Sequence, residues 1–326
     1  MENGKVKELY NEAKNKAKDV IGSIEEKAKA ATEEISKQAV EFVDENGNGK
    51  IDLVDFVIKA LRTKGVNINR AEYLETAFKK YCDEETIKKA IDETPAKADI
   101  SKEIVDKAAT ETIGLHKALV VTGSVGLGYV PGGVGVDIAT TVADLAQYYA
   151  QLLIIMQKLM YLYGYPELEL QKENGSIDDG TMNLIIIGLG AMAGVKEAAV
   201  FIEKITEKLA TNAPKIILKP GFSTKIAYRV SKKVLKFFGI KLTKEIASKG
   251  ISNAIKFAGG AIMGGLSFVT FSSACKNFHT AIKDTPLSDP HYICESNVVD
   301  VEVITKELEE ELESEIQIDD EEKETE

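Results

Sequence analysis

The sequence predicts an all-α protein, a multi-helix bundle whose glycine-rich apolar helices pack closely. Apolar residues recur at helical spacing along most of the 326 residues, and no run of alternating β-branched residues is long enough to build a sheet. Hydrophobic residues make up 44% of the chain, which is enough for a sizeable core. The three cysteines are too few for a disulfide framework, so we expect a protein of the reducing cytoplasm.

Composition and turn signals divide the chain into four segments. These are an amphipathic N-terminal helix (1–43), a loop followed by short helices (44–110), a helical domain (111–299) and an acidic, partly disordered tail (300–326). In the second segment, Asn69 and Asp83 are predicted helix caps, because each directly precedes a helical pattern with acidic residues in its first turn. Asp99 or Ser101 is expected to cap the next helix.

The N-terminal segment is rich in Ala, Lys and Glu, and its apolar residues follow one helical face. They include Val6, Tyr10, Val20 and Ile24. Such a helix needs a partner surface, which is supplied by this chain, by another chain or by a membrane.

Residues 44–55 match the EF-hand calcium loop. The loop ligands are expected at positions 1, 3, 5, 7, 9 and 12, and Gly49 permits the sharp turn. The residues at those positions are Asp44, Asn46, Asn48, Lys50 (through its carbonyl), Asp52 and Asp55. The pattern predicts a Ca²⁺ site, with Mg²⁺ as the alternative ion.

Two features of this loop weaken the expected affinity. Position 12 is Asp55 rather than Glu, which shortens its bidentate reach, and Asn46 and Asn48 lower the ligand charge. The sequence holds no second loop of this kind. An Asx-rich turn between two helices is the alternative interpretation.

Two runs of nineteen uncharged residues, 118–136 and 257–275, are just long enough to span a hydrocarbon core. Both are glycine-rich and only moderately apolar, so close helix packing in a soluble bundle is an equal alternative to membrane insertion. Small residues four apart, as in Gly190 and Gly194 or Gly260 and Gly264, favour such packing.

Residues 137–165 are predicted to form one long helix and residues 181–212 another. Polar side chains at three-to-four spacing make a stripe on the first of these helices. The stripe includes Asp137, Asp144, Gln147, Gln151 and Lys158. It is either a solvated face or a buried polar seam in which the two aspartates need a cationic or metal partner.

Charge is distributed unevenly along the chain. The net charge of the whole chain is −11, residues 300–326 carry −12, and residues 204–256 carry +11. Within the basic stretch, a predicted amphipathic helix presents Lys225, Arg229, Lys232, Lys233 and Lys236. Such a face suits anionic lipid headgroups, or it is neutralised by the acidic tail of this chain or a neighbour. Nucleic acid is not expected, because the cations are nearly all Lys and aromatic residues are not arranged for stacking.

The sequence contains no recognisable catalytic or phosphate-binding motif. The patterns HExxH, CxxC, GxSxG and GxxxxGK[ST] are absent, and the three histidines are expected to be structural or surface groups. An enzyme acting on lipid or peptide stays open as an alternative, with Asp137 and Asp144 as its first candidates.

A glycine-rich segment with Pro131, Gly132 and Gly133 opens the stretch 123–164, and further glycines occur in 239–250, 259–260 and 264–266. On these segments, residues 70–285 resemble the bacterial EcsC family. The resemblance implies a helical bacterial protein that is cytoplasmic or membrane-associated, and it carries no established catalytic residues.

These observations predict a non-enzymatic, amphitropic protein at the inner face of the bacterial membrane, binding an anionic membrane surface or a membrane protein. The calcium loop would adjust its helix arrangement. Two alternatives remain: a soluble helical scaffold that binds a protein partner, with the acidic tail as a contact, and a membrane-inserting toxin or pore-former.

Overall fold

The computed structural model describes most of the chain between residue 53 and residue 310. The described residues are 53–126, 138–168, 170, 177–209, 217–219, 224–237, 266–294, 298–300, 303–304, 306–307 and 310. The predicted N-terminal helix (1–43) and loop residues 44–52 lie outside this part.

The described part of the chain is all-α, as predicted. It contains nine α-helices, one 3₁₀ turn and two three-residue strands. The helices are α1 Leu53–Leu61, α2 Arg70–Phe78, α3 Glu84–Asp92, α4 Lys102–Gly126, α5 Ile138–Leu162, α6 Asp179–Met192, α7 Lys196–Thr206, α8 Thr224–Phe237 and α9 Leu266–Ile282. The strands are β1 Ile217–Lys219 and β2 Val298–Asp300, and the 3₁₀ turn is Pro286–Ser288.

Helix α5 is the centre of the bundle. Its side chains from Leu152 to Leu162 are nearly all buried, and α1, α4, α6 and α9 pack around it. Phe56 of α1 stacks on Tyr149 with ring centroids 5.9 Å apart, and Tyr148 meets Phe271 of α9 edge-on. These large side chains supply the apolar burial that holds the helices together.

Local capping explains where the short helices begin. The side chain of Asn69 accepts a hydrogen bond from the Glu72 N–H at 2.9 Å, and Asp83 accepts one from the Thr86 N–H at 2.8 Å, so both predicted caps are confirmed. Helix α4 begins directly after Ser101. Asp99 lies in the preceding turn with a φ of 60° and does not cap the helix.

Two buried polar side chains anchor α1, α2 and α3 to α5. Arg70 donates hydrogen bonds to the carbonyls of Ala90, Ile91, Glu93 and Tyr165, at 2.5 to 3.2 Å. Gln157, which is fully buried, accepts from the Ile68 N–H and donates to the carbonyls of Val66 and Leu153. Because each bond satisfies a buried backbone group, the link between α1 and α2 is held against α5.

The structure corrects the prediction of one helix over 181–212. The chain forms α6 and α7 instead, with a turn in which Gly194 takes a φ of +74°. A residue with a side chain is strained there, whereas glycine is not. Helix α4 also runs without a break across the expected boundary at 110/111.

Beyond α7, the regular elements in the described residues of the basic stretch 204–256 are one strand and one helix. Strand β1 precedes α8 and pairs in parallel with β2, so that Ile217 faces Val298 and Lys219 faces Asp300. Strand β2 crosses the expected boundary at 299/300, and Ile304 beyond it is 2% exposed. The beginning of the acidic tail therefore packs on the helical body.

Candidate functional site

The basic face of α8 is presented to solvent because the opposite face of the helix is buried. Val230, Val234 and Leu235 are at most 2% exposed. Four cations lie outside: Arg229, Lys232, Lys233 and Lys236 are all exposed. Lys225 belongs to the first turn of the same helix, and its side chain is outside the described part. We call Arg229, Lys232, Lys233 and Lys236 the basic face.

Glycine at position 190 lets α8 approach α6 closely. A Cβ atom on Gly190 would lie 2.6 Å from Val230 Cγ1 and 2.8 Å from Ala198 Cβ. These separations are too short for carbon atoms, so only glycine fits without a shift of α8 or α7. The expected close packing at Gly190 is confirmed, whereas Gly194 forms the turn described above.

One cation of the basic face has a partner within the fold. Lys233 Nζ lies 2.7 Å from Glu197 Oε1 of α7. Burial raises the pKa of Glu197, but the hydrogen bond from Lys233 and the charges of Lys233 and Arg229 outweigh it and lower that pKa. Among the described residues, Arg229, Lys232 and Lys236 form no ion pair within 4 Å.

A second exposed feature is apolar and lies at one end of the bundle. Leu115 and Leu119 of α4 are 59% and 48% exposed, and Phe268 and Val269 of α9 are 42% and 60% exposed. These four residues account for most of the large exposed apolar side chains in the described part. We call them the apolar end.

Contacts along the helices show that these residues share an end. At the opposite end, Lys102 at the start of α4 pairs with Asp284 after α9, and Tyr163 after α5 meets His279. Toward the apolar end, Tyr148 of α5 lies 3.2 Å from the Thr270 hydroxyl of α9. Both uncharged runs, 118–136 and 257–275, include parts of this end, although residues 127–137 and 251–265 lie outside the description. No helix in the described ranges is both long and apolar enough to cross a membrane.

The predicted calcium loop is described only at its last three positions. Helix α1 begins at Leu53, the tenth loop position, and Asp55 is fully buried in its first turn. Asp44, Asn46, Asn48, Lys50 and Asp52 are outside the described residues. Within the described part, no three acidic, His or Cys side chains form a metal-binding group. The calcium site stays a prediction. Helix α1, into which the loop leads, packs on α5 through the stacking of Phe56 on Tyr149.

The polar stripe on α5 divides between solvent and the interior. Gln147 is exposed, whereas Gln151 is half-buried and meets His116 of α4. Asp137 and the side chain of Asp144 lie outside the described part. The two aspartates therefore stay untested as candidates, and the section near Gln151 forms part of a seam.

His116 is the centre of that seam. It is 2% exposed, its Nδ1 lies 3.2 Å from Gln151 Oε1, and its Nε2 lies 3.1 Å from Lys158 Nζ. An ammonium group can only donate, so Nε2 accepts and the proton is on Nδ1. Burial and the charge of Lys158 lower the pKa of His116 to about 4, and burial lowers the pKa of Lys158.

A second cluster joins three helix ends. The Tyr163 hydroxyl donates to Asp106 Oδ1 at 2.6 Å and lies 2.5 Å from His279 Nε2. Burial and the bond to Asp106 raise the pKa of Tyr163, and burial lowers the pKa of His279. A protonated phenol that donates to Asp106 must accept from His279, so one chain of hydrogen bonds links α4 and α9 through Tyr163 at the end of α5.

The clusters around His116 and Tyr163 could not be predicted from the sequence, because the hydrogen-bonded partners are 35 to 116 residues apart and match no motif. Tyr163 also lines a cavity of about 260 Å³ with Ser101, Lys102 and Ser288.

Comparison with known proteins gives no relative for this chain. No family model, no curated protein and no solved structure matches it. The resemblance to the EcsC family therefore rests on the residues quoted above.

Proposed function

We propose that this chain is an amphitropic, non-enzymatic protein that binds anionic membrane surfaces, with the basic face of α8 as its electrostatic contact. The observation that carries the proposal is the orientation of α8. Its apolar side is buried, mainly against α6, and its cations point outward. A helix fixed in this way binds headgroups without inserting itself.

Magnitudes indicate that charge alone gives weak binding. Each Lys or Arg near an anionic surface contributes about 1 kcal/mol, so the three cations that form no ion pair among the described residues contribute about 3 kcal/mol, which corresponds to a dissociation constant of several millimolar. A second contribution is needed for stable attachment. The apolar end can supply it, because burying one large apolar side chain contributes about 1.5 to 3 kcal/mol.

The predicted calcium loop is connected to the bundle through α1. It leads into α1, whose Phe56 stacks on Tyr149 of the central helix α5. Ion binding would fix the first turn of α1 through Asp55 and so stabilise the packing there. We propose calcium, or magnesium in its place, as a modulator of attachment rather than as its main energy source.

A family-level and cellular assignment is part of the same proposal. The EcsC resemblance and the small number of cysteines, none of which forms a disulfide, favour a bacterial protein of the cytoplasm that attaches to the inner face of the membrane. The soluble scaffold and the pore-former are the outcomes that compete with it.

Vesicle flotation tests the proposal. Full-length protein is floated with vesicles of neutral lipid and with vesicles containing anionic lipid, at low and high salt. We expect flotation with anionic vesicles only, reduced by salt. The absence of flotation under every condition contradicts the proposal and favours a scaffold. Release of an entrapped dye would instead indicate a pore-former.

A melting experiment tests the calcium part separately. Calcium at millimolar concentration is expected to raise the melting temperature of the wild-type chain relative to chelator, because the ion binds only the folded loop. The control is Asp44→Ala, which removes the first ligand. Equal melting temperatures with calcium, magnesium and chelator would show that the loop is an Asx turn.

A further inference from the structure

The start of the acidic tail is attached to the body at three points. Strand β2 pairs with β1, Ile304 is buried, and Glu307 Oε2 lies 3.5 Å from Lys204 Nζ of α7. These contacts fix where the rest of the tail begins.

The distance between the start of the tail and α8 follows from two ion pairs on helix α7. Glu197 and Lys204 are seven residues apart, which is two helical turns, so they share one face of α7 and are separated by about 10 Å along it. Glu197 holds Lys233 of α8, and Lys204 holds Glu307 of the tail. The tail and the basic face therefore border the same side of α7.

Charge and length make the remaining tail a fitting occupant of the basic face. Residues 311–326 contain nine acidic residues and one Lys. Sixteen residues can extend about 50 Å, several times the distance measured along α7. Arg229, Lys232 and Lys236 are exposed and form no ion pair among the described residues.

We propose that residues 311–326 lie on the basic face of α8 in the free protein and occupy the surface that anionic lipid would use. The tail is then an intramolecular competitor. Because it is tethered, its effective concentration at α8 is of the order of millimolar. The contact between the tail and α8 does not depend on the proposed function. Its role as a regulator of membrane binding does rest on that function.

Zero-length crosslinking tests the contact directly. A carbodiimide joins a carboxylate to an amine only when the two touch, and mass spectrometry identifies the joined peptides. We expect crosslinks from residues 311–326 to Lys232 or Lys236 at low salt, independent of protein concentration and lost at high salt. Crosslinks that are absent from α8, or that are spread evenly over lysines such as Lys64 and Lys88, overturn the proposal.

Vesicle binding by a neutralised tail tests the competition. The variant carries Asp319→Asn, Asp320→Asn, Glu321→Gln and Glu322→Gln in the full chain. Its matched control neutralises four exposed acids of α2 and α3: Glu72→Gln, Glu75→Gln, Glu85→Gln and Asp92→Asn. We expect about tenfold tighter binding to vesicles of 30% anionic lipid for the tail variant than for the control.

The two proposals fail in different ways. Equal affinities of the tail variant and the control overturn competition while membrane binding stands. Crosslinks to α8 without vesicle binding by any variant overturn the membrane function and support the contact. Vesicle binding without those crosslinks overturns the contact and leaves the proposed function intact.

Discussion

Individual buried polar residues determine how this bundle responds to pH and substitution. His116, Gln157 and Arg70 are each at most 8% exposed, and each is hydrogen-bonded to another element. A buried polar group is stabilising only when its hydrogen bonds are made. Substitutions at these positions therefore lower the free energy of unfolding by more than the change in side-chain volume suggests. None of them touches the basic face, which separates stability tests from binding tests.

The His116 seam predicts a loss of stability in acid. The pKa of His116 is about 4 in the folded chain and near 6.5 when exposed, so the unfolded chain binds the extra proton between these values. The free energy of unfolding should therefore fall as the pH drops from about 6.5 to about 4, by at most about 3 kcal/mol from this group.

Urea unfolding at pH 7 and pH 4.5 measures this contribution. The matched variant is His116→Gln, which keeps hydrogen-bonding capacity and cannot titrate. We expect the pH-dependent loss to be smaller in the variant than in the wild type. An identical loss in both would show that His116 takes up no proton on unfolding.

Gly190 and Gly114 provide a matched pair of substitutions. Gly190→Ala places a Cβ against Val230 and Ala198, and overpacking of this kind costs about 1 to 3 kcal/mol. Gly114→Ala meets nothing within 4 Å in an exposed helix and should gain about 0.5 to 1 kcal/mol. Chemical denaturation of both variants checks the pair. Equal effects at the two sites would contradict the close approach of α6 and α8.

At the scale of elements, local signals in the sequence predicted helix starts but not helix ends within apolar stretches. Asn69 and Asp83 are identifiable because a cap and its acidic first turn are neighbours in sequence. The break at Gly194 was missed, because the apolar pattern continues past it and glycine also suits close packing. The pairing of β1 with β2 joins residues 81 positions apart, so no local pattern could reveal it.

The residues of the basic face could be predicted from the sequence, but the surface that covers the apolar side of α8 could not. The spacing of Arg229, Lys232, Lys233 and Lys236 indicated an amphipathic helix. Whether its apolar side would meet lipid or protein depends on contacts with α6, and these come from a different part of the chain. For the same reason the clusters at His116 and Tyr163 required the three-dimensional arrangement.

Arg70 predicts cooperation between α2, α3 and α5. Arg70→Lys keeps the charge but loses the planar fork that reaches several carbonyls at once, and we expect a loss of about 2 to 3 kcal/mol. Hydrogen exchange should show the faster exchange mainly in α3. The control Arg62→Lys, at an exposed position, should stay within about 0.5 kcal/mol of wild type. Equal stability of the two variants would contradict the anchoring role.

At the scale of the molecule, charge is separated between a basic stretch and an acidic tail. Residues 204–256 carry +11 and residues 300–326 carry −12, while the net charge of the whole chain is only −11. The pI of about 5.1 therefore reflects the tail and gives no indication of the surface of α8. A protein with this distribution can attract anionic surfaces locally despite its overall negative charge.

Quantitative vesicle binding by a charge-reversed α8 tests the central claim most directly. The dissociation constant is measured for vesicles of 30% anionic lipid with the wild type, with Lys232→Glu/Lys236→Glu, and with the matched control Lys64→Glu/Lys88→Glu. Removing two cations from the contact costs about 2 kcal/mol, and reversal costs more, so binding by the α8 variant should weaken at least about thirtyfold. The control should bind like the wild type. Equal weakening of both variants, or unchanged binding by the α8 variant, would contradict the assignment of α8 as the membrane contact.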